Sequence, residues 1–433
     1  MTVAWFATTL AGAPIAIRPQ TDYDDKNAVI QNNLWYYSSI LNRKPNSEGV
    51  VSTRSFFCPK PAGVVWSFVI PMFFALVISC GSEEEKSNGR DSGASRIDAN
   101  ASAKDAESKT KGRIYVVVAG DNEVIAIDEE SRQIIQRVTV GVGPAIIVAT
   151  ADFSKLFTAN WTDNTVSIID AAKMAAKQIS VPGRPYVIAI APDGKHVYAG
   201  LSTYKIVVVS TETDEIEQTF STTYMPASII VSNDSTKLYV ADLSSNTLRA
   251  LSASNGDLIA EPITVGLAPA WITITPDGSK VYTLNYTSDD ITVVDTKSFT
   301  IEATIATGTD SKGIIGNVTP DGSRLFVTNL GTGDFIAVDT KSNEIVKRID
   351  LGARPVGVTF SQDSKRVYVT DHGAGSLDSP TSAGQAFLLT GVFTPVRDGQ
   401  VRVFDTTTYK QIGENVVVGA GPNSVVAHSP LSE

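Results

Sequence analysis

Cysteine is almost absent from this 433-residue chain: Cys58 and Cys80 are the only two, and both precede residue 113. The long remainder therefore has no disulfide, no thiol nucleophile and no C-x-x-C-H haem attachment motif. Histidine is nearly as scarce, with His196, His372 and His428 far apart, and their spacing matches no metal site. There is no block of basic residues, and the formal charge is −10. A chain of that kind lacks the positive footprint that phosphate binding requires, which removes nucleic acid from the expected partners. Also missing are a Gly-rich phosphate loop, a G-x-S-x-G elbow and a two-histidine metal motif. No catalytic residue, metal or cofactor is expected on these grounds. What the chain does have is ordinary hydrophobicity, 42% of residues, over a length sufficient for a substantial core.

The first 112 residues divide by composition. Residues 1–50 show no clear period. Within 51–80, "VVWSFVIPMFFALVI", Val64 to Ile78, is apolar for fifteen residues, follows Arg54 and Lys60, and ends in Ser79-Cys80. It is short for a membrane span. "LVISC", Leu76 to Cys80, resembles a bacterial lipobox, which implies lipidation of Cys80 and attachment to a membrane; a buried apolar strand or a short anchor is the alternative. A signal segment belongs within about thirty residues of the start, so translation is expected to begin near Val51, with 1–50 a doubtful extension. Recovery of peptides from Thr21 to Tyr37 would refute that. Residues 81–112, rich in Ser, Ala, Asp, Glu and Lys, lack the apolar surface to offset ordering entropy. They read as a disordered tether with a span of roughly 30 Å.

From Arg113 onward one pattern recurs. Its aromatic anchors are Tyr115, Phe157, Tyr198, Tyr239, Tyr282, Phe326 and Tyr368, with successive spacings of 42, 41, 41, 43, 44 and 42. The unit "APAWITITPDGSKVYTLNYTSDDITVVDTKSFTIEATIATG", Ala268 to Gly308, alternates β-branched runs with three turn signals and so contains four candidate strands. Four strands at such a period make a propeller blade, and seven anchors make seven blades. "GPNSVVAHSP", Gly421 to Pro430, matches the inner strand of a unit, whereas "RIYVVVAG" at Arg113 enters at the second strand. The fold expected for 113–433 is therefore all-β: a seven-bladed β-propeller closed by pairing of the C-terminal strand with the first blade.

The units resemble the YVTN-type β-propeller repeat family. The tetrad stands as "FVTN" at Phe326 to Asn329, "YVTD" at Tyr368 to Asp371, "YVAD" at Tyr239 to Asp242 and "FTAN" at Phe157 to Asn160. The inner-strand pattern appears as "TPDGSKVY", "TPDGSRLF" and "APDGKHVY". The resemblance covers about three quarters of the chain and implies a fold; propellers of this kind include surface-layer components, binding modules and parts of enzymes.

Once the repeat is subtracted, a few residues stand out. The Asx that ends each tetrad, Asn160, Asp242, Asn285, Asn329 and Asp371, is expected to set a turn. His372 follows it where the other units have Trp161, Ser202, Leu243, Tyr286 and Leu330, which predicts a rim position with a solvated side chain. The last unit departs most: Tyr368 to Asp405 is 37 residues where ordinary units have thirteen, a surplus of 24 carried by Ser376 to Gly399. This insertion 376–399 would rise on the face that carries the connections between blades. Its apolar part, including Phe387 and Phe393, is either a mobile contact patch or a plug over the central opening. On the same face, Arg184, Lys312 and Arg354 precede inner strands. They either focus an anionic ligand or a partner's carboxylate, or are ordinary surface charge.

The expectation for function is a non-catalytic propeller of the bacterial cell envelope, lipid-anchored through Cys80 on the periplasmic side or the cell surface. It would bind a protein or an envelope polymer through its insertion-bearing face, with Arg184, Lys312, Arg354, His372, Phe387 and Phe393 as binding candidates. The rival is a propeller enzyme, a lactonase-like hydrolase or a lyase, with His372 as general base beside Asp371, Arg354 and Arg184. A structural surface-layer component is the third reading.

Overall fold

The computed structural model describes residues 112–372 and 398–428. The signal segment, Cys80, nearly all of the tether, and Phe387 and Phe393 lie outside the described residues. Twenty-eight strands, numbered β1 to β28 in chain order, form seven four-stranded antiparallel sheets among the described residues. The expected seven-bladed propeller is therefore the observed fold.

Local chemistry accounts for the blades. In the hairpin between the first two strands of a unit, the Asp277 carboxylate accepts hydrogen bonds from Thr275 Oγ1 at 2.5 Å and the Ser279 backbone at 3.0 Å. Gly278 then takes φ = +73° without the penalty a Cβ would bring. The turn after the third strand uses Asp295 in the same way, with the Ser298 N–H at 2.7 Å. Strands of six residues, rich in Val, Ile and Leu, run between these turns and bury both faces. All seven anchor aromatics lie on second strands with at most 3% of their surface exposed. Each contributes about 1.5–3 kcal/mol of burial. Neighbouring blades interlock at the turns: Phe299 stacks on Tyr239 of the preceding blade at 6.2 Å, and Tyr409 meets Phe326 at 6.3 Å.

Closure uses both ends of the repeat region. Blade 1 consists of β28 (Pro422–His428), β1 (Arg113–Val118), β2 (Glu123–Asp128) and β3 (Ile134–Thr139), in that order. Glu129 of this blade accepts hydrogen bonds from Arg366 Nη1, at 3.1 Å, and from the Tyr368 hydroxyl of blade 7. Thr370 adds a bond to the Asn423 carbonyl at 2.9 Å. The edges of the first and last blades are thereby covered.

The turns between second and third strands are short: Asn160 pairs with Thr165, Asp242 with Thr247, Asn285 with Asp290 and Asn329 with Asp334. In blade 7, β25 (Arg366–Asp371) pairs with β26 (Asp398–Asp405) so that Asp371 faces Gln400. The surplus of the last unit therefore sits in this one connection. Its C-terminal boundary differs slightly from expectation, because Asp398 and Gly399 already pair with Ala420 and Gly419.

Candidate functional site: the mouth that carries the long connection

In six blades the carbonyl of the residue before the inner strand accepts a hydrogen bond from the residue that follows the second strand. The Arg184 carbonyl accepts from the Ser202 N–H at 2.8 Å, Lys312 from Leu330 at 3.1 Å, and Arg354 from His372 at 3.1 Å. The fold thus brings the three cations singled out in the sequence to one face. Their electrostatic states differ. Lys312 is buried, 3.2 Å from Asp289 and 3.5 Å from Asp310, and lies 5.9 Å from the Tyr286 ring centroid. Burial alone would raise the Asp289 carboxyl, but hydrogen bonds from Lys312 and Asp310 outweigh it and hold it low. Lys312 therefore ties one loop to the next. Arg354 is half-buried, and desolvation lowers its guanidinium from the ordinary value. Arg184 is exposed, with its guanidinium carbon 5.4 Å from the Trp161 ring centroid.

The Asx residues do more than set turns. All five are buried, and each reaches the third strand of its own blade. Where the residue is Asn, its amide donates to a hydroxyl or carboxylate: Asn160 to Ser167 at 2.8 Å, Asn285 to Thr292 at 2.9 Å and Asn329 to Asp334 at 2.7 Å. Where it is Asp, an arginine answers it: Arg249 lies 3.1 Å from Asp242, and Arg402 lies 2.5 Å from Asp371. The charge is matched within each blade, as burial of a carboxylate requires. Burial pushes the Asp242 carboxyl up, but bonds from Ser244, Ser245 and Arg249 outweigh it.

His372 corrects the sequence expectation. It is 7% exposed rather than solvated. Desolvation, with a smaller contribution from Arg354, pushes its pKa down to about 4. Nε2 lies 3.1 Å from Asn423 Oδ1, and the Pro422 backbone also bonds to the imidazole. With Nε2 bonded to Asn423 and the charged form disfavoured, His372 pins the mouth to the closing strand. A general base working near neutral pH needs a higher pKa and a free lone pair.

Sequence reading missed the aromatic part of this mouth. Trp161, in the column His372 occupies, packs edge-on against Tyr186 with centroids 3.9 Å apart. With Arg184, Asn164, Ser202 and Thr203 they line an open depression of about 490 Å³. The column of residues after the Asx contained the signal, since Trp161 and Tyr286 there are large and aromatic. Below the mouth, the seven inner strands enclose an axial cavity of about 320 Å³. Val148, Ile230, Trp271 and Val426 give it a largely apolar wall, interrupted by Asn317 and Thr359. Among the described residues no group of three or more His, Cys, Asp or Glu is placed to hold a metal. No helix among them is long and apolar enough to cross a membrane.

No family model and no curated protein sequence matches the chain. Solved structures do. Kuenenia stuttgartiensis hydrazine synthase is 18% identical, with 67% of this chain and 92% of that chain covered and a TM-score of 0.55. A functionally unknown protein from Desulfotomaculum acetoxidans is 16% identical, covers 73% and 99%, and has a TM-score of 0.59. Dihydro-heme d1 dehydrogenase NirN, in complex with DHE, is 14% identical over 72% of this chain and 74% of its own, at a TM-score of 0.52. At such identities the likeness speaks to the fold alone.

Proposed function

We propose that this protein is a YVTN-type repeat propeller of the bacterial cell envelope, lipid-anchored through Cys80, that binds a protein or envelope polymer through the mouth described above. The observation that carries the reading is the single long connection, which leaves β25 at Asp371 and returns at Asp398 on the face that also holds Arg184, Arg354 and the Trp161–Tyr186 pair. Six blades keep tight turns there; one departs. Long connections on a rigid scaffold are where binding function concentrates. The cations on this face suit a partner that presents carboxylates, and Phe387 and Phe393 supply apolar contact from within the connection.

The test replaces residues 373–397 by a turn of ordinary blade length and compares both proteins as bait in solubilised envelopes. The expected result is a defined partner retained by the intact protein and lost on trimming, with the unfolding temperature unchanged. Retention of the same partner by the trimmed, folded protein would overturn the assignment of the face. Cys80→Ala should move the protein from the membrane to the soluble fraction; continued membrane association would overturn the anchor.

A further inference from the structure

The opposite face holds a cavity of about 770 Å³, lying across the base of blade 2 between its two turns. Comparing the seven blades with one another shows why it is there. In four sister blades a threonine hydroxyl bridges the two turns: Thr211 to the Gly194 carbonyl, Thr296 to Gly278, Thr340 to Gly322 and Thr406 to Ser364, at 2.5–2.6 Å. Blade 2 has Ala171 at that position, defined by its backbone bond to Ser154, as blade 4 has Ala253, bonded to Thr236; no hydroxyl closes the gap there.

Two more substitutions fall at the same place. Ala176 pairs with Ile169 where the sister blades pair Ile134, Ile216, Leu258, Ile301 and Ile345 with the matching residue. A methyl thus stands where five blades carry a branched four-carbon side chain. Phe153 occupies the left-handed turn position, φ = +52°, held by Gly194, Ser235, Gly278, Gly322 and Ser364 elsewhere. A bulky residue there is a backbone outlier that costs about 1–2 kcal/mol. Its ring is turned onto His428, centroids 4.6 Å apart, and lies 6.4 Å from Tyr115. Burial and the nearby Arg113 lower the His428 pKa, which keeps this wall uncharged at neutral pH.

The other end of the trough is cationic. Lys155 and Lys177 lie 2.7 Å and 2.9 Å from the two oxygens of one carboxylate, Asp214. Two ammonium groups against one carboxylate leave one positive charge in excess. Asp152 and Asp170 also line the trough, each engaged by its neighbours: Asp152 accepts from Thr150 and Ser154, and Asp170 from the Ala172 and Lys173 N–H groups and from Lys173 Nζ at 2.7 Å.

We propose that this trough is a second binding site, for a small flat aromatic carboxylate whose ring lies on the Phe153–His428 wall over Ala171 and Ala176 while its carboxylate meets Lys155 and Lys177. The volume falls within the range of small-molecule sites. The site is independent of the insertion-bearing mouth and stands or falls separately from it.

The experiment titrates the full chain with 2-naphthoate, followed by ligand-observed NMR and calorimetry, alongside 2-naphthylmethanol and 2-naphthylmethylammonium. Saturable 1:1 binding of the carboxylate is expected, with the alcohol weaker and the cation weaker still. Ala176→Ile and Ala171→Thr install sister-blade residues and are compatible with the fold. Each should weaken 2-naphthoate by about tenfold or more, because the added atoms fill the ring's space. Lys177→Ala should cost about fivefold. Lys341→Ala, in an exposed turn of another blade, should change nothing. Absence of saturable binding, equal binding of the cation, or undiminished binding by the folded Ala176→Ile and Ala171→Thr proteins would overturn the proposal.

Discussion

Replacing Arg402 by threonine isolates the matching of buried charge that runs through the blades. Asp371 is fully buried, and Arg402 holds it through Nε at 2.5 Å while its Nη1 donates to the Leu351 carbonyl at 3.0 Å. Removing the arginine breaks a buried ion pair by deleting one partner, a change that costs about 3–5 kcal/mol. Asp371→Asn alone leaves an arginine with 14% of its side chain exposed and still bonded to Leu351, and should cost about 1–2 kcal/mol. The double variant recreates the pair that blade 5 uses, Asn285 with Thr292 at 2.9 Å. Its stability should return to within about 1 kcal/mol of the parent, giving a coupling of at least about 3 kcal/mol. Urea unfolding followed by far-ultraviolet circular dichroism measures all four proteins. Additive losses, with the double variant the least stable, would refute the argument that charge matching governs these positions.

The neutral, buried His372 sets a pH dependence. Its folded pKa of about 4 lies below the ordinary 6.5, so the unfolded chain binds the proton first as pH falls. Stability should be unaffected above that ordinary value and decline between the two values by about 3 kcal/mol; His372→Gln should flatten this part of the profile, and an unchanged slope would show that the histidine does not cause it. Gly316→Ala would place a Cβ 2.9 Å from Leu284 Cδ1 and 3.1 Å from the Phe326 carbonyl, and should lower stability by about 1–3 kcal/mol in thermal unfolding. Glu129→Ala removes the acceptor of Arg366 and Tyr368 across the closure between blades 7 and 1, and should cost about 2 kcal/mol and speed hydrogen exchange first in β1 and β25; uniform exchange across the blades would contradict a local role.

The fold was legible because its signals are local. Turn chemistry at Asp277-Gly278, short β-branched runs and seven evenly spaced aromatics all lie within single units, and the ends of the repeat revealed closure by Pro422–His428. The candidate site was only partly legible. That Arg184, Lys312 and Arg354 share a face followed from their common place in the repeat. Their electrostatic states did not, because Lys312 is neutralised by Asp289 from the preceding blade. The state of His372 depends on Asn423, 51 residues later, delivered by the closing strand. The trough of blade 2 was written in the sequence as three columns: Phe153 and Ala176, each unlike its sisters, and Ala171, matched only by Ala253 of blade 4. Reading them required knowing which hydroxyl and which side chain the other blades place there.

The assignment of the binding face is tested most directly by site-specific photo-crosslinking in intact envelopes. A benzoylphenylalanine at Leu267, 51% exposed on the face of the long connection, is compared with one at Lys341, exposed in a turn of the opposite face. The account predicts a discrete adduct from position 267 that disappears when residues 373–397 are trimmed, and none from position 341. An adduct from position 341 alone, or one at 267 that survives trimming, would contradict it.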